Sequence, residues 1–461
     1  MMRVGFSRED ITPPLGVQMS GQPFTVVATG VDDPLFARAI CLDDGYTQVI
    51  LVSCDLLLVS NEMSQEIRFR IAKALDIPLT NIVCCATHTH SGPGTVEILG
   101  STSDREYIRR IKDSIVDVAE GAYLDRSEGK LFVGTGRCEG LAFNRRFIMT
   151  DGTVETHPLK GDPHILAAEG PDSSAVGVLA AVGSDGTALF VAACFGCHAT
   201  GMVRRNDSIG ADYPGAVCRE VSLALDGAES LFFQGAAGNI CQVDPRNLER
   251  REVGKSWVDE MGRGLSEKVV DIFRKSSAES HGRLRVSSAT LRIPRRIASD
   301  WLLGWAHRHV PTGASIPILS DYGIESYGTI SPPQVSLEGL FKTPYWADFY
   351  ASEILKLEEA RNADREIELH ITVVAQDNWA LVALPCELFV EWAEEIYACS
   401  PFHHTIVVTL ANGWCGYIPT RTAFERPGGY ETKEVTSTML VPGAGEMLLE
   451  EVLRTLDEAF E

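Results

Sequence analysis

Asn81-Ile82-Val83-Cys84-Cys85-Ala86-Thr87-His88-Thr89-His90-Ser91-Gly92-Pro93 joins an apolar run to two imidazoles spaced two residues apart. The run reads as a buried strand, and Ser-Gly-Pro stops it. In extended backbone, residues i and i+2 point to one side, so both rings are expected to leave the strand end on one face. Paired histidines there suit metal ligation by one ring and proton transfer or oxyanion contact by the other. The plainer reading is a surface loop of hydrogen-bonded histidines.

Working outward, short apolar runs alternate with amphipathic segments. Strands are expected at Gln48 to Val59, Asn81 to Ala86, Ala188 to Cys194, Leu231 to Gln234 and His404 to Leu410. Ile371 to Ala375 and Trp379 to Leu384 form a hairpin around Asp377-Asn378. Helices are expected at Glu62 to Ala74, Arg105 to Ala122, Val253 to Lys275, Glu387 to Ala398 and Glu446 to Ala459, with Tyr345 to Arg361 a further amphipathic one. The alternation predicts an α/β fold with mixed sheet flanked by helices. Residues 1–461 are expected to form one large catalytic domain. Its least regular part, near 299–345, reads as an insertion covering a pocket, with Trp301, Trp305, Tyr322, Tyr327, Tyr345 and Trp346 as a lid or as ordinary packing.

Composition narrows the function. A net charge of −22 disfavours nucleic acid and anionic membranes as partners. No apolar run is long enough for a membrane span, and the first residues lack a signal-peptide core. The twelve cysteines mostly sit in apolar runs, as reduced buried thiols do. A cytoplasmic chain without stable membrane insertion is expected.

Other positions can carry chemistry. His198 ends a second strand-like run, inside Cys194-Phe195-Gly196-Cys197-His198. That pattern also fits c-type haem attachment, which a cytosolic setting disfavours. Glu387 in Leu384-Pro385-Cys386-Glu387-Leu388 follows a strand and is expected to open a helix, where an acidic residue also suits the macrodipole. Gly235-Ala236-Ala237-Gly238 lets backbone approach a ligand, but the Gly-Lys-Ser/Thr of a phosphate loop is absent.

Together these pieces resemble the neutral (non-lysosomal) ceramidase family. The resemblance runs through Asp10-Ile11-Thr12-Pro13-Pro14-Leu15-Gly16, Asp33-Pro34-Leu35-Phe36-Ala37-Arg38-Ala39, Ala86 to Pro93, Asn144-Arg145, His198 with Thr200, Pro385-Cys386-Glu387 and Tyr417-Ile418-Pro419-Thr420. It implies a zinc-dependent amidase, with His88, His198, Glu387 and Tyr417 as metal ligands. It further implies His90 as the acid/base or oxyanion-contacting group, with Arg145 and Tyr430 near the carbonyl oxygen. Where the family has Gly-Asp-Val-Ser-Pro-Asn, this chain reads Gly238-Asn239-Ile240-Cys241-Gln242-Val243, so Cys241 replaces a serine linked to catalysis. The family's immunoglobulin-like C-terminal domain is not expected here.

These departures point to a small soluble amide, ester or lactone substrate rather than ceramide. Two alternatives remain open: a non-catalytic metal-binding relative with a degenerate site, and a hydrolase using Cys241 as a thiolate nucleophile activated by a neighbour such as His90.

Overall fold

The structure is a computed structural model that describes residues 2–21, 26–98, 102–202, 207–279, 282–313 and 344–461. An eight-stranded sheet is built from β1 (Arg3–Asp10), β2 (Phe36–Asp43), β3 (Gln48–Cys54), β4 (Ile82–Ala86), β5 (Ser127–Arg137), β6 (Ala175–Gly183), β7 (Ala188–Phe195) and β8 (Glu229–Gln234). Its spatial order is β8-β7-β6-β5-β1-β2-β3-β4. The inner pairs are antiparallel, while each outermost pair, β3/β4 and β7/β8, is parallel. A parallel pair needs a crossover. Helix α1 (Asn61–Leu75) supplies one, and α3 (Asp212–Ala224) the other. Helices α2 (Arg105–Leu124) and α4 (Lys255–Lys275) complete the layer over this sheet's outer face.

A second sheet of four strands has the order β9 (Arg285–Pro294), β10 (Glu366–Gln376), β11 (Trp379–Ala383) and β12 (His404–Val408). Helices α7 (Val390–Cys399) and α8 (Ala444–Phe460) pack on its outer side, and α5 (Asp300–Arg308) with α6 (Pro344–Ala363) form a smaller cluster beyond.

Strand periodicity explains the layering. In β3, Ile50, Val52 and Cys54 face the helices, while Val49 and Leu51 face the second sheet, where Val374, Trp379, Leu381 and Ile406 meet them. In β7, Val191, Ala193 and Phe195 join the α3–α4 side, and Phe190, Ala192 and Cys194 the inter-sheet side. Both faces are buried, so these strands read as continuous apolar runs. Each fully buried aliphatic side chain contributes roughly 1.5–3 kcal/mol of transfer free energy.

The two edges of the large sheet approach each other. Ser53 Oγ of β3 donates to Phe232 O of β8. The segment after β12 closes the gap: Thr409 N donates to Gln234 O at 2.8 Å, and Leu410 O accepts from Ala86 N at 3.3 Å. Loops leaving β4, at one edge, and β7, beside the other edge strand, therefore emerge side by side.

Most expected elements are present, and the Asp377-Asn378 turn does separate β10 from β11. Three details differ. The strand from Gln48 ends at Cys54, not Val59, because Asp55 turns its carboxylate back onto Phe36 N and Arg38. Glu387 does not open a helix: it lies in a two-residue strand, Glu387–Leu388, and α7 starts at Val390, whose N–H is taken by Asn239 Oδ1. Residues 300–308 of the expected irregular insertion form a helix, with Trp346 buried and Trp301 exposed. Tyr322 and Tyr327 lie outside the described residues.

Candidate metal centre

His88 and His90 converge by a turn, not by strand alternation. β4 stops at Ala86, and His88 has the left-handed φ of 65°. The loop is then stitched to the one after β7: His90 N donates to Ala199 O at 3.1 Å, beside a Thr89–Ala199 bridge. His198 thus enters the same space. His88 and His198 ring centroids are 4.7 Å apart, as are those of His88 and His90.

Each ring is oriented by backbone. His88 Nδ1 lies 2.8 Å from Leu57 O, His90 Nδ1 2.8 Å from Gly21 O, and His198 Nδ1 2.7 Å from Ala237 O. A carbonyl only accepts, so each Nδ1 carries a proton, and a ring in its neutral form presents an Nε2 lone pair. Gly21 has φ of 86°, and a Cβ there would stand 2.6 Å from His90 Nδ1, so only glycine lets this carbonyl reach the ring.

Glu387 closes the fourth side. Its Oε2 is 3.3 Å from His198 Nε2 and 3.5 Å from His88 Nε2. Trp414 Nε1 donates to its other oxygen at 3.0 Å. Although they face one another, His198 Nε2 and Glu387 Oε2 are buried without a well-formed hydrogen bond. His90 Nε2 and His88 Nε2 likewise face each other at 3.3 Å. Acceptors therefore converge from four residues with no donor among them, an arrangement that a cation satisfies. Among the described residues, His88, His90 and His198 form a group able to hold a metal ion.

Electrostatics agree in direction. Burial and then Arg145 push His198 down to about 4. Burial, then the charges of His88 and His198, push His90 well below the usual range. Burial disfavours the charged Glu387, yet hydrogen bonds and positive charge at His198 and His88 hold the carboxyl well below its ordinary value, a stabilisation that a proton on those Nε2 atoms or a cation between them supplies. Neutral imidazoles and an ionised carboxylate are the forms that bind metal.

The remaining expected residues surround this centre. Tyr417 pairs in parallel register with Glu387, and its ring stacks on His198 with centroids 6.5 Å apart. Tyr430 meets Tyr417 edge-on at 5.8 Å. Arg145 is buried, with Cζ 5.4 Å from the Tyr417 ring centroid. Its Nε donates to Glu431 Oε1 at 2.7 Å and its Nη2 to Gly238 O at 2.8 Å, and the guanidinium also hydrogen-bonds the Tyr417 side chain. A Cβ on Gly238 would stand 2.5 Å from Glu387 O, so glycine is what lets this loop lie against the Glu387 strand.

Cys241 is buried, and its Sγ lies 3.7 Å from His157 Nδ1. The activating neighbour suggested by sequence was His90; the imidazole beside the thiol is His157. Burial pushes the thiol up to about 12, and burial with Arg145 pushes His157 down to about 3. Both are neutral at pH 7.

Sequence reasoning also missed Glu431 and Trp414. Glu431 is buried between Arg145, Arg146 and Thr156. The available signal was an acidic residue directly after Tyr430, matched by adjacent arginines at 145 and 146. Cys194 and Cys197 are free thiols bonded to backbone carbonyls, with Cys194 Sγ 3.3 Å from Val407 O.

Residues 2–230 match the family described as neutral/alkaline non-lysosomal ceramidase, N-terminal. Through that span the chain belongs to the neutral/alkaline ceramidase family. Its fold is similar to the crystal structure of neutral ceramidase from Pseudomonas aeruginosa, with a TM-score of 0.70 at 18% identity, covering 99% of this chain and 74% of that one. A structure titled as ceramidase complexed with C2 aligns with a TM-score of 0.69 at 19% identity, covering the same shares of 99% and 74%. The chain therefore has the ceramidase-family hydrolase fold. Among the described residues, no helix is long and apolar enough to cross a membrane.

Proposed function

We propose that this chain is a zinc-dependent hydrolase that cleaves the carboxamide bond, or an ester or lactone bond, of a small soluble substrate in the cytoplasm. The observation that carries the reading is the convergence of His88 Nε2, His90 Nε2, His198 Nε2 and Glu387 Oε2 without a donor between them. Family membership favours hydrolysis over a purely structural metal.

His88, His198, Glu387 and Tyr417 hold the ion. Nitrogen and oxygen donors of this kind suit zinc, though they also suit neighbouring divalent metals. When bound, zinc lowers the pKa of a water towards ~7 and polarises a carbonyl. His90 is the general base: its Nε2 is unprotonated, and the hydrogen bond to Gly21 O fixes its tautomer. It takes the proton of the attacking water and returns it to the leaving amine or alkoxide. Arg145 and Tyr430 stabilise the developing oxyanion, where losing one donor typically costs ~3 kcal/mol. Glu431 positions Arg145 by holding its Nε.

A second reading makes His90 a ligand, favoured by its 3.3 Å approach to His88 Nε2. His90→Gln separates the two: a ligand role lowers metal content, whereas a base role lowers turnover with metal retained.

The decisive experiment measures metal content and hydrolysis of a panel of soluble N-acyl amides and lactones, before and after chelation. About one zinc per chain is expected, with turnover lost on chelation and restored by zinc. Full turnover of metal-free protein would end the proposal. Metal retained with no turnover on any member would favour a non-catalytic relative.

A further inference from the structure

A cleft of about 700 Å³ lies between the loop carrying Tyr430 and helices α5 and α6. Leu302, Ile354 and Phe424 give it apolar walls, and Arg296, Arg426 and Lys433 give it cations. Two of the cations are already engaged. Arg296 donates to the carbonyls of Thr432 and Lys433 and lies 3.7 Å from Glu434; Arg426 lies 3.4 Å from Glu169.

Lys433 differs. Its Nζ donates to Tyr350 Oη at 3.0 Å and stands 4.9 Å from the centroid of that ring. Among the described residues, no carboxylate forms an ion pair with it. Glu431, behind it, is committed to Arg145, Arg146 and Thr156. Asp151 and Glu155 also line the cleft, but Asp151 is exposed and folded back onto Thr153. Burial, against the pull of Glu431, lowers the Lys433 ammonium to about 8, so it remains charged at neutral pH.

We infer that Lys433 and Tyr350 form a subsite for a carboxylate on the substrate, separated from the scissile bond by hydrocarbon lying against Leu302, Ile354 and Phe424. Because lysine donates to Tyr350 Oη, the phenolic hydrogen is free to point outward; the pair offers donors only, which selects an anion. At a net charge of −22 the protein as a whole repels anions, so their selection requires such a local cation. The spacing follows from the aromatic relay. Tyr350 is near enough to feel the charge of Tyr430; Tyr430 meets Tyr417 at 5.8 Å, and Tyr417 meets His198 at 6.5 Å. Tyr350, Tyr430 and Tyr417 thus stand in series between the ammonium and His198, a placement suited to a carboxylate held away from the amide by hydrocarbon. The substrate class is an ω-carboxylated acyl amide or ester. This assignment rests on the hydrolase reading for the identity of the cleaved bond, but not for binding.

The test compares the N-methyl monoamide of decanedioic acid with N-methyldecanamide, which lacks only the carboxylate. Binding is measured calorimetrically on the chelated full chain, and hydrolysis on the zinc-loaded chain. Wild type should bind the carboxylated probe about tenfold more tightly than the neutral one, as expected for a desolvated charge-assisted contact. Lys433→Met should erase that preference and leave neutral-probe binding within about twofold; Lys433→Arg should retain most of it. Tyr350→Phe, which preserves packing, should lose part of it. Equal binding of both probes by wild type, or equal losses for both in Lys433→Met, would overturn the subsite. Selective binding without hydrolysis in the zinc-loaded protein would instead break the hydrolase reading and leave the subsite standing.

Discussion

His88, His90 and His198 come from loops near opposite edges of the eight-stranded sheet, whereas Glu387 and Tyr417 come from a two-residue ladder beyond the smaller sheet. On the histidine side, each ring is fixed singly, by its Nδ1 on a main-chain carbonyl. On the carboxylate side, backbone pairing fixes the spacing and Trp414 leaves one oxygen of Glu387 free. The contrast separates two tasks. Main-chain anchors set which nitrogen is presented; ladder and indole set where the negative charge sits. Each half by itself leaves unsatisfied polar atoms, and together they define the site.

The most damaging change should be to a shared corner. His88→Ala removes the ring that faces both His90 and Glu387, and is expected to abolish bound zinc and all measurable hydrolysis together. Metal analysis alongside turnover checks this. Retention of both would show that the two halves do not share an ion.

Next in size is the buried charge that ties the halves. Glu431, from the C-terminal half, is held between Arg145 and Arg146, from the N-terminal half. Glu431→Gln leaves buried Arg145 without its ion-pair partner and Arg146 with Glu169 alone, and should destabilise the fold by about 3 kcal/mol. Burial opposes ionisation, but the two arginines prevail and depress its carboxyl from 4.5 to about 2. Its stabilisation is therefore complete above an unfolded value near 4.5 and is lost as pH falls through about 2. Urea midpoints measured across that interval should fall more steeply in wild type than in Glu431→Gln. Parallel curves would refute the charge-based account.

The two halves also differed in how far they could be read from sequence. Ile82–Ala86 and Ala188–Phe195 are apolar runs ending in histidine, so both the strands and the residues they deliver were legible. What sequence could not supply is the closure of opposite sheet edges, which depends on Ser53 meeting Phe232 and on Thr409–Leu410 filling the gap. Nor could it supply the left-handed turn at His88: period-2 alternation indicated one shared face, and the loop achieves convergence differently. Glu387 followed by an apolar helical pattern looked like a first-turn acid. Asn239, distant in sequence, caps the helix instead and frees Glu387 for its strand. His157 stayed hidden because nothing local links it to Cys241; a backbone bond from His157 N to Arg145 O, at 2.8 Å, brings it there.

A smaller effect sharpens the carboxylate half. Trp414→Phe keeps the aromatic packing but deletes the indole donor to Glu387 Oε1. Outer-shell losses of this kind cost about 10- to 100-fold in metal affinity or activity, and zinc titration should place this variant near the lower figure. No change in affinity would mean that the strand pairing alone orients the carboxylate.

Smallest of all should be the effect of removing the thiol. A cysteine nucleophile requires thiolate, and His157 is the neighbour that would have to take the proton. Burial drives the thiol up to about 12 and His157 down to about 3, so transfer from sulfur to nitrogen is strongly uphill. The 3.7 Å separation adds little, since a neutral thiol is a weak donor. Cys241→Ala should therefore keep turnover within about threefold, a loss that softened packing would explain, and Cys241→Ser should do the same. Alkylation of the native chain at this buried position should be slow. Abolished turnover in Cys241→Ala with zinc fully retained would reverse the assignment, moving the nucleophile from water between the two halves to sulfur beside them.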